Sequence, residues 1–278
     1  MTYKTILVHC DAGPKANQML SVAAELAKRY SAHLVGVHAR PPFQAPVFFE
    51  GGMAMDRVFA AYEASAEADQ AAALAVFQDA VKGRHISHEW RVTQGFIDSE
   101  LATQARYADL LVVGQTDPDA QTPTPSDLPE AVALSTGRPT LVVPHIGVRS
   151  PPGETVMLCW NASRESARAA ADALPFLRAA RKVVILVVDP RTSVGGHGAE
   201  PGADVAQWLA RHGVKVVVQR DVAADSDVGE VILSRAADLG IDLIVMGVYG
   251  HSRVREMVLG GVSRTLLSSM TVPVLLAH

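Results

Sequence analysis

Asp109-Leu110-Leu111-Val112-Val113-Gly114 returns 133 residues later as Asp242-Leu243-Ile244-Val245-Met246-Gly247. Each stretch is a short, unbroken apolar run that enters on an aspartate and leaves on a glycine. Such a run, with no polar alternation, fits a strand buried on both faces, the setting of a parallel sheet covered by helices. The duplication continues upstream, where Lys4-Thr5-Ile6-Leu7-Val8-His9-Cys10-Asp11 resembles Glu154-Thr155-Val156-Met157-Leu158-Cys159-Trp160-Asn161 at a spacing of 150. Downstream, Pro139 and the apolar run after it match Pro273 and its run at a spacing of 134. Three matches in one order mean two copies of one unit.

The spacing falls from 150 to 133 between the first two matches, so the first copy carries about 17 extra residues there. They belong between Pro41 and about Arg84, a stretch that opens on a Pro/Gly-punctuated aromatic loop and continues into an alanine-rich helix from Asp56 to Lys82. Val58, Phe59, Tyr62, Ala66 and Ala73 recur near helical spacing and should face the protein, with the loop covering an apolar cleft. His145 to Gly153 reads as the linker, giving units at 1–146 and 154–278. In the second copy strands are expected near 155–160, 182–188, 214–219, 242–247 and 272–277, with helices at 164–178, 202–212, 229–239 and 261–269. Strand and helix alternation predicts two tandem doubly wound α/β domains, each with a five-stranded parallel sheet flanked by helices.

Composition narrows the function. With 49% hydrophobic and 19% charged residues among 278, the chain can build a real core and is not disordered. A net charge of −4 gives no footprint for nucleic acid or anionic membrane, so neither is expected as a partner. The opening MTYKTILVHCDAG reads as neither a signal peptide nor a membrane span, so a cytoplasmic location is expected. Cys10 and Cys159 are too few for a disulfide framework and lie in no metal-ligand spacing.

In an open parallel sheet, ligands bind beyond the carboxyl ends of the strands. In the second copy the first strand runs out into Asn161 and Ser163, and the fourth into Gly247, Gly250 and Arg253, ahead of Gly260-Gly261-Val262-Ser263 at a helix start. Glycines there let backbone approach a phosphate, and the free N–H groups and dipole at a helix N-terminus favour an anion. Two readings stand side by side: a phosphate cradle, or turn glycines with Ser263 as a helix cap. Arg253 is likewise either a phosphate ligand or a solvent-facing loop residue. No Gly-Lys-Ser/Thr follows, so this is not a Walker loop.

Gly247-x2-Gly250-x9-Gly260, with Val262-Ser263 just after, resembles the nucleotide-binding signature of the universal stress proteins, and the resemblance extends over nearly the whole chain as a tandem, two-domain member. It implies that ATP or a related adenine nucleotide is held by the second domain, with the glycine loop, Gly261 and Ser263 on ribose and phosphates, Asn161 near the adenosine and Val187 near adenine. Two positions depart from the family pattern. An Asp is replaced by Asn161, which removes a charge that could hold a divalent cation, and leaves the need for magnesium open; a Ser/Thr is replaced by Gly261, which keeps its N–H but loses a hydroxyl.

The first copy keeps Asp11 at the matching strand end but has Gln115, Asp117 and Pro118 where glycines belong, then Asp119, Pro123, Pro125, Asp127 and Pro129. Acidic groups and missing N–H donors argue against ATP there. His85, His88 and Glu89 could suggest a metal, but their spacing turns them to opposite faces of a strand. No paired carboxylates, activated nucleophile or metal cluster accompanies the glycine loop, so the expected role is stress-response regulation, with at most slow hydrolysis. Two rivals remain: a nucleotide-free stress scaffold holding a partner or small apolar ligand, and an ATP-using enzyme of the wider adenine-nucleotide hydrolase group. Both copies end in an apolar strand with an unpaired edge, so an intramolecular pseudo-dimer is expected, with a further homodimer open.

Overall fold

Each apolar run becomes a strand, and the polar-faced stretches between them become helices. The computed structural model describes residues 2–13, 15–44, 52–116, 125, 127–148, 150–190, 198–248 and 260–278. The first half runs β1 (Thr5–His9), α1 (Ala16–Tyr30), β2 (His33–Arg40), α2 (Gly52–Val81), β3 (His88–Gln94), α3 (Ile97–Ala105), β4 (Leu110–Gly114), α4 (Leu128–Ser135) and β5 (Thr140–Val143). The second runs β6 (Thr155–Cys159), α5 (Arg164–Asp172), α6 (Leu174–Ala179), β7 (Lys182–Val188), α7 (Ala203–Arg211), β8 (Val216–Asp221), α8 (Val228–Asp238), β9 (Leu243–Gly247), α9 (Gly261–Ser269) and β10 (Val274–Ala277).

Strand order is β3-β2-β1-β4-β5-β10-β9-β6-β7-β8, one sheet of ten strands. Within each half every pairing is parallel, and the halves meet where β5 and β10 pair antiparallel, Leu141 opposite Leu275. The apolar edges that each half would otherwise expose lie against each other. Both halves therefore reverse direction at their first strand, β1 between β2 and β4, and β6 between β7 and β9.

Two apolar layers flank the sheet. Leu20, Phe77, Ala169, Phe176 and Leu209 carry α1, α2, α5, α6 and α7 onto one face. Leu101, Val132, Ile232 and Leu266 carry α3, α4, α8 and α9 onto the other. The central strands β1, β4, β6 and β9 are buried on both sides, which is why their sequences do not alternate.

The helix read as 164–178 is two. Pro175, in the first turn of α6, has no N–H to continue the α5 ladder, and the chain re-aims at Ala173. α2 spans 30 residues, against nine in α7, its counterpart between the second and third strands, so the insertion in the first half includes a lengthened helix. Ala66 and Ala73 are buried and Val58 and Tyr62 half-buried, but Phe59 is 47% exposed, because its ring packs sideways on Phe43 and Tyr62 rather than inward. The tip of the insertion loop, 45–51, lies outside the described residues.

The halves are also joined off the sheet. Tyr3, Tyr30 and Phe176 form a three-ring cluster with centroids 5.2 to 5.7 Å apart, and the Tyr3 hydroxyl donates to the Asp172 carbonyl at 2.8 Å. Linker Gly153 sits at φ +106°, where a built Cβ would stand 2.8 Å from the Phe176 ring. Glycine is needed there for both conformation and space.

Candidate functional site

β6 is the strand at which the second half changes direction, and a cleft of about 230 Å³ opens beyond its carboxyl end. Its apolar walls are Cys159, Leu186, Val188, Val228, Ile232 and Met246, drawn from β6, β7, β9 and the first turns of α8. Its rim is polar: Trp160, Asn161 and Ser166 on one side, and the start of α9 on the other. No charged residue is among the described residues that line it. Burial pushes the Cys159 thiol up to about 12, so this sulfur is a neutral apolar wall rather than a nucleophile.

The α9 start supplies the field. Gly260 is its N-cap, in extended conformation, with no described side chain capping the helix, and the intrahelical ladder begins when Arg264 N donates to the Gly260 carbonyl at 3.2 Å. The N–H groups of Gly260, Gly261, Val262 and Ser263 thus have no acceptor inside the helix, and they border the cleft. Around Gly261 a built Cβ meets no described atom within 4 Å. Ser263 is the third residue of the helix and is 2% exposed, so it is not the cap that the plainer reading of the sequence made it.

The structure redistributes the other expected residues. Asn161 lines the cleft, but its Oδ1 accepts from Ser163 N at 3.2 Å in a tight side-chain turn. Ser163 does not line the cleft: it caps α5, its Oγ accepting from Ser166 N at 3.1 Å. Val187 is corrected in the same way. Its side chain is fully buried on the opposite face of the sheet, and its strand neighbours Leu186 and Val188 face the cleft instead.

Gly247 lines the cleft and is packed tightly against α5. A Cβ built on it would stand 2.4 Å from the Glu165 carbonyl carbon and 2.6 Å from Ser166 N. The bare Cα is what lets β9 exit against the first turn of α5, which carries the Asn161 rim. Gly250 and Arg253 lie outside the described residues.

In the first half the matching places are filled differently. Asp11 repeats the Asn161 turn, accepting from Gly13 N at 3.0 Å. Gly114 has ordinary room, its nearest neighbour to a built Cβ being Met19 Sδ at 3.5 Å. Gln115 follows it, buried, and bridges the halves: its Nε2 donates to the Leu267 carbonyl at 2.8 Å, and its Oε1 accepts from His145 N at 3.0 Å. α4 begins with Pro129 and Glu130 in its first turn, which removes a donor and adds an acidic group at the place where α9 has glycines. Residues 117–124 of that loop are outside the described set. No cluster of three or more metal-ligating side chains occurs among the described residues; His88 turns to the Ile86 carbonyl, and Glu89 meets Arg91 and His33. Among them, too, no helix is long and apolar enough to cross a membrane.

Fold and site together define a tandem, doubly wound α/β protein with a cleft at the switch point of its second half whose described lining carries no charged residue. Both halves match the model of the universal stress protein family, over residues 2–144 and 153–278, and the chain belongs to that family. A universal stress protein of Archaeoglobus fulgidus shares the fold at 16% identity and a TM-score of 0.74, covering 98% of this chain and 95% of its own. A Pseudomonas aeruginosa protein of unknown function does so at 13% identity and a TM-score of 0.59, covering 99% and 92%. Universal stress protein Slr1230 of Synechocystis is 41% identical over 46 residues, so the match spans 16% of either chain.

Proposed function

We propose that the second half binds one adenine nucleotide, ATP or a close relative, and that the protein acts as a nucleotide-responsive regulator rather than a catalyst. The observation that carries this reading is the meeting of an apolar slot with an uncapped helix start at the β6 switch point. An adenine ring suits walls such as Leu186, Val188, Val228 and Ile232, and the α9 N–H groups suit the phosphate side. At about 230 Å³ the slot is smaller than the usual pocket of roughly 300 to 1,000 Å³, so it suits base and ribose, with phosphates along the α9 start.

The residues fit the nucleotide better than they fit a nucleotide with its metal. Asn161 brings no charge, and its Oδ1 is engaged in the turn with Ser163, so binding should not depend on magnesium through this residue. The described cleft offers no carboxylate, histidine or lysine to activate water or a hydroxyl, which supports regulation over turnover. Gly261 supplies the test. No described atom stands in its Cβ direction, so Gly261→Ser adds a hydroxyl beside the phosphate side without a clash among the described residues. Calorimetric titration should show ATP bound about three- to tenfold more tightly by Gly261→Ser, the worth of one added hydrogen bond. No binding by either protein would favour the nucleotide-free scaffold, and an unchanged or weaker affinity in Gly261→Ser would place the phosphates away from the α9 start.

A further inference from the structure

The larger cavity belongs to the first half. It measures about 690 Å³, three times the cleft at β6, and lies beyond the carboxyl ends of β1 and β2, with α2 and the start of α3 along its sides. Its apolar part is built from Ala39, Pro41, Ala66, Phe96 and Ile97. The remainder has one electrostatic character. Asp11, Asp69 and Asp98 face it, and the guanidinium of Arg40, the lining arginine, is held by Glu63 at 2.9 Å.

Two buried histidines, at the ends of β1 and β2, also line the cavity. His38 is 8% exposed, and its Nδ1 lies 3.0 Å from the Cys10 carbonyl, which can only accept. Nδ1 therefore carries the proton, and in the neutral ring Nε2 is an acceptor. The ring is stacked on Trp90, which fixes its plane. His9 is 3% exposed and lines the same cavity, yet its imidazole makes no hydrogen bond to a described residue; Asp11 Oδ2 stands 3.9 Å from its Nδ1. Burial, assisted by His38 and opposed by Asp11, holds its pKa below 6.5, so it adds no positive charge at neutral pH.

A phosphate placed here would face three carboxylates with no unpaired cation among the described lining, so like-charge repulsion opposes it. A group that carries positive charge and donates hydrogen bonds meets the opposite situation. We propose that this cavity is a second ligand site, for a small organic cation: an amine on an apolar body of about the size of an aromatic ring. The ammonium would lie on the acidic lining of Asp11, Asp69 and Asp98, and the body against Ala66, Phe96 and Ile97. The site lies in the other half of the chain from the nucleotide cleft and does not depend on nucleotide binding there.

The test uses the full-length protein and three probes of similar size: 2-phenylethylamine, 2-phenylethanol and 3-phenylpropionate. Calorimetry should find one amine per chain, bound at least tenfold more tightly than the alcohol, with the carboxylate weakest. Asp69→Asn combined with Asp98→Asn should bring the amine down to the level of the alcohol. Ala66→Phe, which puts a ring into the cavity, should abolish amine binding, and circular dichroism of each variant confirms the fold. Saturating ATP should leave the amine affinity unchanged. The proposal is overturned if none of the probes binds at millimolar concentration, if the carboxylate binds as well as the amine, or if folded Asp variants bind the amine as the wild type does.

Discussion

Two glycines at equivalent places do different work. A methyl group on Gly247 would have to displace the backbone of the α5 first turn, whereas one on Gly114 makes ordinary contact with a methionine sulfur. Gly247→Ala should therefore destabilise the protein by about 1 to 3 kcal/mol and weaken nucleotide binding with it, and Gly114→Ala should do neither. Thermal melts and titrations of the two variants check this, and equal effects would mean that close approach at Gly247 is not what the site needs. His9 offers a second test. Because burial holds its folded pKa below 6.5, the unfolded chain takes up the proton first, and stability present above about pH 6.5 is lost as the pH falls further. Urea midpoints at pH 7 and pH 5.5 should differ less for His9→Gln than for wild type; an identical drop would assign the acid sensitivity elsewhere. At this scale the sequence was only partly legible. Asn161, Gly247 and the Gly260–Ser263 run stand out because strand ends and glycine spacing mark them. The residue on β7 does not, because side-chain direction alternates along a strand, and one position separates Val187 from Leu186 and Val188, whose side chains line the cleft. Cys159 and Met246 looked like core, and Gln115 looked like a defective loop residue rather than a bridge between halves.

The elements follow the sequence most closely where periodicity is strong. Strands β6, β7 and β9 and helices α7, α8 and α9 fall within a residue or two of the runs that suggested them. Pro175 was the signal overlooked in the α5–α6 break, since an alanine-rich stretch outweighed a single proline. The docking of α2 was legible only in part: Ala66 and Ala73 follow helical spacing, but the side chain that anchors the helix is Phe77, whose ring occupies the place where a Cβ on Gly36 of β2 would be, 2.6 Å away. That contact pairs a glycine and an aromatic residue 41 positions apart, which no local pattern reveals. Phe77 is 2% exposed, so Phe77→Ala should cost about 3 to 5 kcal/mol and loosen α2 over the first-half cavity. Hydrogen exchange along α2, with chemical denaturation, would measure it; a loss below 1 kcal/mol would show that Gly36 and Phe77 do not anchor the helix.

At the level of the whole molecule, duplication and divergence explain both clefts. The antiparallel β5–β10 seam, the Gln115 bridge and the Tyr3–Tyr30–Phe176 cluster hold two copies in one continuous sheet. Each copy retains a cleft at its switch point, but their walls have separated in character. The second is small, without a charged residue in its described lining, and bordered by a glycine-rich helix start; the first is three times larger, acidic and bordered by a lengthened α2. The repeat and the fold class could be read directly, since three matched runs survive divergence. The chemical asymmetry could be read on one side, from the missing glycines and the added acids and prolines after Gly114. The pairing of His9 and His38 could not, because it depends on the β1–β2 register, which brings the two strand ends together with His9 opposite Val37 and turns the imidazoles to opposite faces of the sheet. Calorimetric titration of the full-length wild-type protein with ATP, with and without magnesium, tests this asymmetry most directly. The account predicts one nucleotide per chain, with an affinity little changed by the metal. Two nucleotides per chain, or none, would contradict it.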